Sequence, residues 1–341
     1  MLIAHSHIFL SSCFITTIMS RIVFACFLFL TGQSWAQDTV KRFPDFKVVP
    51  NLTSYSSYQS SLTSDSTFFN QDKLMFGFTA FLNKNWSTSL GIDMVNLDTK
   101  NSRKLNAYFK PAKITYQHKN LIIDLGIFIL NQYESQTQFW ENRYISKVFQ
   151  DKYGMGNISD LGIHVTYKWS SMLSTDVTLT TGKGHKLLDC RAPYKPSFRV
   201  IFNPWKTLTL VGYYDFYGSQ TRQQAYSFAA NIRNTKKNSI TVEYNSKSNM
   251  RFISGLNYRG ISTYGNYHIN NWLGVFLRYD WLQTILPNST MMDTGGSSVI
   301  SGIDAHIFKY ARFSVNYQNW RPNYSMNQRL DWLFLNLEIK Y

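Results

Sequence analysis

Apolar and polar residues alternate along the final segment, Leu330–Tyr341. One set of every second residue is apolar and consists of Leu333, Leu335, Leu337, Ile339 and Tyr341. The interleaved set is mostly polar and consists of Trp332, Phe334, Asn336, Glu338 and Lys340. Because successive side chains of a strand point to opposite faces, the segment predicts a strand with one apolar face. A tilted strand of about 9–11 residues spans a bilayer, so the pattern favours a membrane-spanning strand that ends on an aromatic residue.

The same alternation recurs upstream, most clearly in segments 121–129, 161–169, 273–281 and 313–318. In segment 273–281, for example, Leu277 and Tyr279 fall on one face and Arg278 and Asp280 on the other. A soluble β-sandwich would show the same pattern, with the apolar face buried and the polar face in solvent. In a transmembrane barrel the apolar face contacts lipid and the polar face lines the lumen. Segments 103–117 and 251–269 alternate poorly and leave their register open.

The connections between these segments fall into two length classes. Seven short, Asn- or Lys-rich turns are predicted at 83–85, 118–120, 170–171, 203–206, 234–238, 270–271 and 309–310. Eight longer connections are predicted at 61–72, 98–103, 132–158, 182–196, 218–223, 246–250, 284–298 and 320–329. Outer-membrane barrels alternate short periplasmic turns with longer external loops. The counts therefore predict an all-β fold: an antiparallel transmembrane barrel of about 16 strands over residues 48–341.

The front of the chain resembles an export signal. Arg21 precedes the apolar run Ile22–Leu30, and Ser34-Trp35-Ala36 places small residues three and one before a cut. We expect a signal peptide over residues 1–36, cleavage after Ala36 and a periplasmic tail over 37–47. Met19 is an alternative start, because the residues before it include no Lys or Arg. Export, the closing strand and the two classes of connection favour an outer-membrane barrel over a sandwich.

The longest predicted connection, residues 132–158, follows the fifth strand. Sixteen-stranded porins place at this position a loop that folds into the lumen and narrows it, although a long surface loop is the simpler interpretation. Three bases and three acids of the segment would then line the constriction: Arg143, Lys147, Lys152, Glu134, Glu141 and Asp151. Their charges cancel.

Composition changes this picture little. Aromatic residues make up 16% of the chain, which suits a barrel with aromatic belts at both interfaces. The formal net charge is +15, but an exported chain has little access to nucleic acid, so we expect no such partner. Only Cys190 follows the predicted leader, which excludes an intrachain disulfide in the mature protein.

The location of the charges matters more than their sum, since selectivity follows the charges that line the pore. The predicted wall bases are Lys168, Arg199, Arg233, Arg251, Arg259, Arg278, Arg312 and Lys340. The predicted wall acids are Asp93, Asp124, Asp176, Glu243, Asp280, Asp304 and Glu338. A basic external loop is predicted to carry the excess charge on Lys183, Lys186, Arg191 and Lys195. This near balance predicts at most a mild anion preference, with basic groups near the mouths.

Candidate chemistry is weak. Outer-membrane phospholipases pair His and Ser as His-x-Ser, and no histidine after the leader has that spacing. Thr181-Gly182-Lys183-Gly184 lacks the spacer and helix of a phosphate-binding P-loop, and no His/Cys cluster has metal-ligand spacing. We therefore predict no catalytic, cofactor or metal site and no enzyme activity. A lipid-modifying enzyme and a closed structural or adhesive barrel remain the alternatives.

The chain resembles the phosphate-selective porin O/P superfamily in the form common among Bacteroidota. The resemblance is carried by Leu121–Phe128, Ser159–Tyr167, Thr181–Gly184 and the closing strand. It implies a channel in the bacterial outer membrane, in contact with lipid and usually trimeric. We accordingly predict a passive, water-filled porin for small hydrophilic solutes or anions. The arginine ladder of the true phosphate channels is not identified in this chain, so no phosphate-binding residue is assigned.

Overall fold

The computed structural model describes residues 46–99, 102–187, 193–234, 238–288, 291–324 and 328–341, with the backbone alone for 95–99 and 102–105. The predicted signal peptide, most of the predicted tail and Arg191 lie outside the described residues. Sixteen strands run in chain order as β1 Lys47–Ser61, β2 Thr67–Phe81, β3 Trp86–Thr99, β4 Ser102–His118, β5 Leu121–Ile129, β6 Ser159–Lys168, β7 Leu173–Thr180, β8 Lys195–Trp205, β9 Leu208–Tyr217, β10 Gln223–Asn234, β11 Asn238–Ser248, β12 Asn257–His268, β13 Leu273–Ile285, β14 Gly296–Phe308, β15 Ala311–Pro322 and β16 Leu330–Lys340. Among these residues no helix has the length and hydropathy needed to cross a membrane.

The strands form a closed antiparallel barrel, in which each strand pairs with its neighbours in the chain. Closure comes from β1 and β16, which pair from Thr53 opposite Lys340 to Ser61 opposite Trp332. The terminal residue extends this pairing, because the Tyr341 amide donates to the Leu52 carbonyl at 2.9 Å. Closure leaves no unpaired sheet edge around the ring. The predicted 16-stranded barrel is confirmed.

Each strand presents an apolar face outward and a polar face inward. On β13 the outward Leu277 and Tyr279 are 58% and 46% exposed, whereas the inward Arg278 and Asp280 have no exposed area. This inverts the usual burial of a soluble protein, in which charged residues are rarely fully buried unless they are paired. The outward face is therefore suited to lipid and the inward face to a polar lumen.

The seven short turns all join strands at one end of the barrel, here called the inner end, and the eight longer connections join them at the outer end. The first two of the longer connections are much shorter than predicted. Residues 67–72 continue the pairing of β2 with β1, and β3 and β4 extend to Thr99 and Ser102. Pairing to a neighbouring strand thus overrides the local polarity of both segments.

The connection between β5 and β6, residues 130–158 and here called L3, contains two helices, α1 Asn131–Trp140 and α2 Phe149–Lys152. Its apolar side chains form the main buried cluster together with inward-facing residues of the barrel. From L3 the cluster takes Leu130, Tyr133, Phe139, Trp140, Tyr144, Ile145 and Val148, and from the barrel Tyr55, Phe128, Val211, Tyr264, Phe276 and Ile300. The core of this protein therefore lies inside the barrel, between L3 and the wall.

Candidate functional site: the lumen and its internal loop

The first helix of L3 is held against the wall by one arginine of β8. Arg199 donates from Nη1 to the Asn131 carbonyl at 2.6 Å and to Ser135 Oγ at 2.8 Å. Its Nε donates to the Asp176 carboxylate at 2.6 Å, and Nη2 lies 3.4 Å from Glu134. A guanidinium offers several donors in a fixed fork, so one side chain can join two strands to a helix.

The end of α1 is anchored by an aromatic and cationic cluster. The Trp140 indole is fully buried, with ring centroids 5.4 Å from Tyr264 and 6.0 Å from Phe276. The Arg278 guanidinium lies 5.2 Å from the Trp140 ring centroid. Arg278 also donates to the Lys147 carbonyl at 2.8 Å and to Asp280 at 2.7 Å. Burial of these charges is tolerated because each has an opposite charge within hydrogen-bond reach.

The remainder of L3 contacts the later strands. Lys152 donates to Asp280 at 3.1 Å, which places α2 against β13. Arg312 of β15 donates to Asn142 Oδ1 at 2.7 Å, and Asn336 of β16 donates to the Tyr144 carbonyl at 3.3 Å. The part of the wall that L3 covers, here called the covered wall, runs from β8 to β16.

On the other side of the lumen, β2, β3 and β4 form what is here called the open wall. Among the described residues no hydrogen bond or ion pair joins L3 to these three strands; on neighbouring β1, the Tyr55 ring lies 6.4 Å from that of Tyr144. Lys73 of β2 lies 5.3 Å above the Tyr55 ring and forms no ion pair within the described part of the chain. The exposed Asp72 accepts a hydrogen bond from Ser57 at 2.6 Å and interacts electrostatically with Lys147 and Arg143 of L3. Unpaired charges of both signs thus face each other across the lumen.

A chain of paired side chains, two basic, two acidic and one histidine, extends from β4 to β8. Lys113 lies 2.9 Å from Asp124, Asp124 lies 3.3 Å from His164 Nδ1, and His164 Nε2 lies 3.1 Å from Asp176. Arg199 completes the chain on β8. Charges that neutralise one another in this way contribute little field to the lumen.

The six predicted constriction residues all lie on L3, and most are paired. Besides Glu134 with Arg199 and Lys152 with Asp280, Arg143 pairs with Asp151 and Glu141 pairs with Arg233. Lys147 is exposed and forms no ion pair within the described residues. Of the six, Lys147 is therefore the one charge without a neutralising partner among the described residues.

The predicted wall charges need two corrections. Arg199, Arg278, Arg312, Asp124 and Asp280 point inward and are paired, and Lys168 lies exposed at the inner end of β6. Arg251, in contrast, belongs to a 3₁₀ turn, Met250–Phe252, and lies on no strand. Arg259 is exposed and faces outward, because its neighbours Tyr258 and Gly260 face inward against loop residues. Both lie in the segment 251–269, whose alternation is poor.

The predicted basic external loop is only partly a loop. Lys195 begins β8, is buried and lies 2.8 Å from Asp215, so its charge is neutralised. Lys183 and Lys186 are exposed in the described part of the connection between β7 and β8, here called L4. Between them lies His185, whose ring packs edge-on against Tyr108 at 6.1 Å. Burial lowers the pKa of the His185 imidazole to about 4, with a further contribution from the positive charge of Lys110.

On the described parts of β2 and β4, sequence reasoning missed three lysines of the lumen: Lys73, Lys110 and Lys113. Lys110 pairs with Asp93 at 3.2 Å and Lys113 pairs with Asp124. The register of β1 with β2 shifts at Tyr55/Ser56, and that of β3 with β4 shifts at Leu90/Ile92. Each irregularity inverts the faces beyond it, so a simple alternation places these lysines on the wrong side. The only sequence signal is the poor alternation of 103–117.

No group of three or more His, Cys, Asp or Glu residues within the described part of the chain has the geometry to hold a metal ion.

Comparison with known proteins places this geometry among the porins. OmpF of Salmonella typhi superposes with a TM-score of 0.66 at 11% identity, over 87% of this chain and 98% of that one. The outer-membrane channel DcaP of Acinetobacter baumannii superposes with a TM-score of 0.63 at 10% identity, over 90% of this chain and 100% of that one. The anion-selective porin of Comamonas acidovorans superposes with a TM-score of 0.59 at 7% identity, over 87% of this chain and 100% of that one.

No protein-family model matches the chain, and no curated protein matches it. The predicted membership of the phosphate-selective porin O/P superfamily therefore stays a prediction. At these identities the structural likeness establishes the fold alone: the chain has the 16-stranded barrel fold of outer-membrane porins.

Proposed function

We propose that this protein is an outer-membrane porin, a passive water-filled channel for small hydrophilic solutes or ions. The observation that carries the proposal is the closed 16-stranded barrel with an apolar exterior, a polar interior and a loop inside the lumen. A barrel of this size is too wide for wall side chains alone to fill. L3 occupies the side of β8 to β16, and the passage lies between L3 and the open wall.

The proposed channel has at most a mild anion preference. Most inward charges are paired at 2.6–3.4 Å, on the wall and on L3. Among the described residues, the lumen bases without an ion pair include Lys73 and Lys147, opposed by Asp72, and Lys247, which donates to the Met155 carbonyl of L3 at 2.9 Å. A small excess of positive charge in an aqueous passage attracts anions weakly, and salt screens it.

Two finer features belong to the same proposal. A homotrimer is expected from the resemblance to the O/P superfamily, and outer-membrane lipid is expected to contact the exposed apolar positions such as Leu277 and Phe228. Phosphate is not proposed as the solute, because no arginine ladder is identified among the described residues of the lumen.

Planar-bilayer recording tests the channel directly. The purified, folded protein should give stepwise increases in current in proportion to salt concentration, and the same preparation unfolded by boiling should give none. A folded barrel that inserts without any conductance would support the closed structural or adhesive class instead. Release of fatty acid or headgroup from phospholipid vesicles would support the enzyme alternative.

A further inference from the structure

Aromatic side chains occupy lumen-facing positions near the outer end of β15 and β16. Along β16 the inward residues Glu338 and Asn336 are polar, but the inward Phe334 and Trp332 that follow are not. On β15, Trp320 comes after a polar inward series and faces the lumen, because its ring lies 5.8 Å from that of Tyr153 on L3. The register places Asn316 opposite Phe334 and Gln318 opposite Trp332, so these groups share one face.

These side chains line a cavity of about 360 Å³ inside the barrel. Its lining includes Lys152, Tyr153, Ser298, Trp320, Trp332 and Phe334. Ligand sites are mostly apolar hollows of roughly 300–1,000 Å³ with a few well-placed polar groups. The cavity falls at the lower end of that range, which suits a ligand of one or two rings.

The aromatic groups of the cavity differ from those that anchor L3. Trp140 is completely buried, whereas Trp320, Trp332 and Phe334 are only half-buried, and Phe68, which lies 6.0 Å from Trp332, is 41% exposed. Burial of apolar surface contributes roughly 25 cal/mol of favourable free energy for each Å², and surface left in contact with water in the lumen does not contribute it. Trp320 packs beside Tyr153 of L3, but part of each ring in the cavity stays uncovered by L3. A ligand that covers the faces of these rings would remove that apolar surface from water.

The polar groups of the cavity are close to neutral overall. Lys152 is paired with Asp280 and also donates to Ser298 Oγ at 2.9 Å, while the Tyr153 hydroxyl donates to Asp280 at 3.1 Å. The Ser298 hydroxyl keeps its own proton to donate. Gln318 uses its Nε2 for the Ile145 carbonyl and Asn316, and its Oε1 accepts no hydrogen bond from the described residues. The cavity thus offers a donor, an acceptor and flat aromatic faces, without a net charge.

We propose that this cavity binds a neutral sugar during passage, with a pyranose ring stacked on Trp332 and Trp320. The C–H face of a pyranose is flat and apolar and its edge carries hydroxyls, which matches aromatic platforms bordered by Ser298 and Gln318. A charged solute would find no unpaired partner here. The role in uptake rests on the proposed channel function, but binding itself requires only the folded barrel.

Tryptophan fluorescence of the folded protein, titrated with the two-ring sugar maltose, tests the site. The detergent must have no sugar headgroup, and folding of each variant is checked by its heat-modifiable migration. Wild type should show a saturable change. Trp332→Leu should weaken binding on the order of tenfold, by analogy with the loss of an aromatic stacking platform for a nucleobase. Trp332→Phe, which keeps an aromatic face, should retain most of it. The control Trp205→Leu removes an outward tryptophan that is 68% exposed and should bind as wild type.

Three outcomes would overturn the proposal: no saturable change in wild type, an equal loss in Trp205→Leu, or an equal response to polyethylene glycol of similar mass. Bilayer recording separates the two claims. Conductance without sugar binding would contradict the proposed sugar site and leave the proposed porin function standing. Saturable sugar binding without conductance would support the sugar site and contradict the proposed channel.

Discussion

The covered wall, β8 to β16, and the open wall, β2 to β4, use charge differently. On the covered wall Arg199, Arg278 and Arg312 each join a carboxylate and a part of L3. On the open wall Lys73 and Asp72 face L3 across the lumen without an ion pair in the described structure. Charges of the first kind position a loop, and in the proposed channel charges of the second kind would act on a solute. The total charge of the wall therefore predicts neither stability nor selectivity.

The largest expected effect is a loss of stability when an ion pair of the covered wall is removed. Arg278→Ala leaves Asp280 buried with Lys152 as its remaining cation and removes the donor to the Lys147 carbonyl. Removing one partner of a buried pair typically costs about 3–5 kcal/mol. We expect a loss of that order in the free energy of unfolding, measured by equilibrium urea unfolding in lipid vesicles.

The matched control is Arg259→Ala, which removes an exposed, outward arginine from the neighbouring strand β12. Surface substitutions of this kind change stability by less than about 0.5 kcal/mol. Equal stability losses in the two variants would show that the covered wall does not depend on the Arg278 cluster.

A smaller effect, on ion selectivity, is expected from substitutions that alter the charges beside the open wall. Replacing Lys73 and Lys147 by Gln removes two unpaired bases and leaves Asp72 beside the open wall. A unit charge at about 4 Å in water attracts an anion and repels a cation by about 1 kcal/mol each, so the anion-to-cation permeability ratio should fall severalfold at low salt. Reversal potentials in a salt gradient measure this ratio. Stability should change little, because neither lysine is paired.

Lys309→Gln is the control for that experiment, since Lys309 lies in an inner-end turn beside Tyr310 and away from the passage. A persistent strong anion preference in the double variant at 1 M salt, where the screening length is about 3 Å, would contradict this account. It would mean that other basic residues line the narrowest point.

The smallest effect is expected from L4. Lys183 and Lys186 are exposed at the outer end, so replacing both by Gln should lower anion preference slightly at low salt and not at 1 M. Adding Lys195→Gln should not lower it further, because Lys195 is already neutralised by Asp215, but should reduce stability. A larger selectivity change on adding Lys195→Gln would show that this lysine faces the solute.

Much of the barrel could be predicted from the sequence. Alternation in segments such as 273–281 depends only on the neighbours of each residue in its own strand, and lipid outside and water inside enforce it. The two classes of connection then give the strand count. Prediction failed for Arg259 and Lys110, because register shifts and loop boundaries depend on pairing between strands that a single sequence does not reveal.

The partners of L3 were less predictable than its position. The length of the segment 132–158 indicated an internal loop, but nothing near Lys147 or Trp140 in the sequence identifies Arg278 or Tyr264 as a partner. Such pairs join residues more than 100 positions apart and form only when the barrel closes. The aromatic face of Trp332 and Phe334 was visible in the alternation, but its cavity was not, since Tyr153 and Trp320 come from elsewhere.

The central claim is that the passage lies between L3 and the open wall. Single-channel recording with cysteine variants in a Cys190→Ser background tests it most directly. A bulky neutral thiol reagent should reduce the conductance of Lys147→Cys, whose position is exposed on L3, and should leave Ser262→Cys unchanged, since Ser262 is fully buried on the covered wall. An unchanged current in Lys147→Cys together with block of Ser262→Cys would place the passage on the other side of L3 and contradict the account.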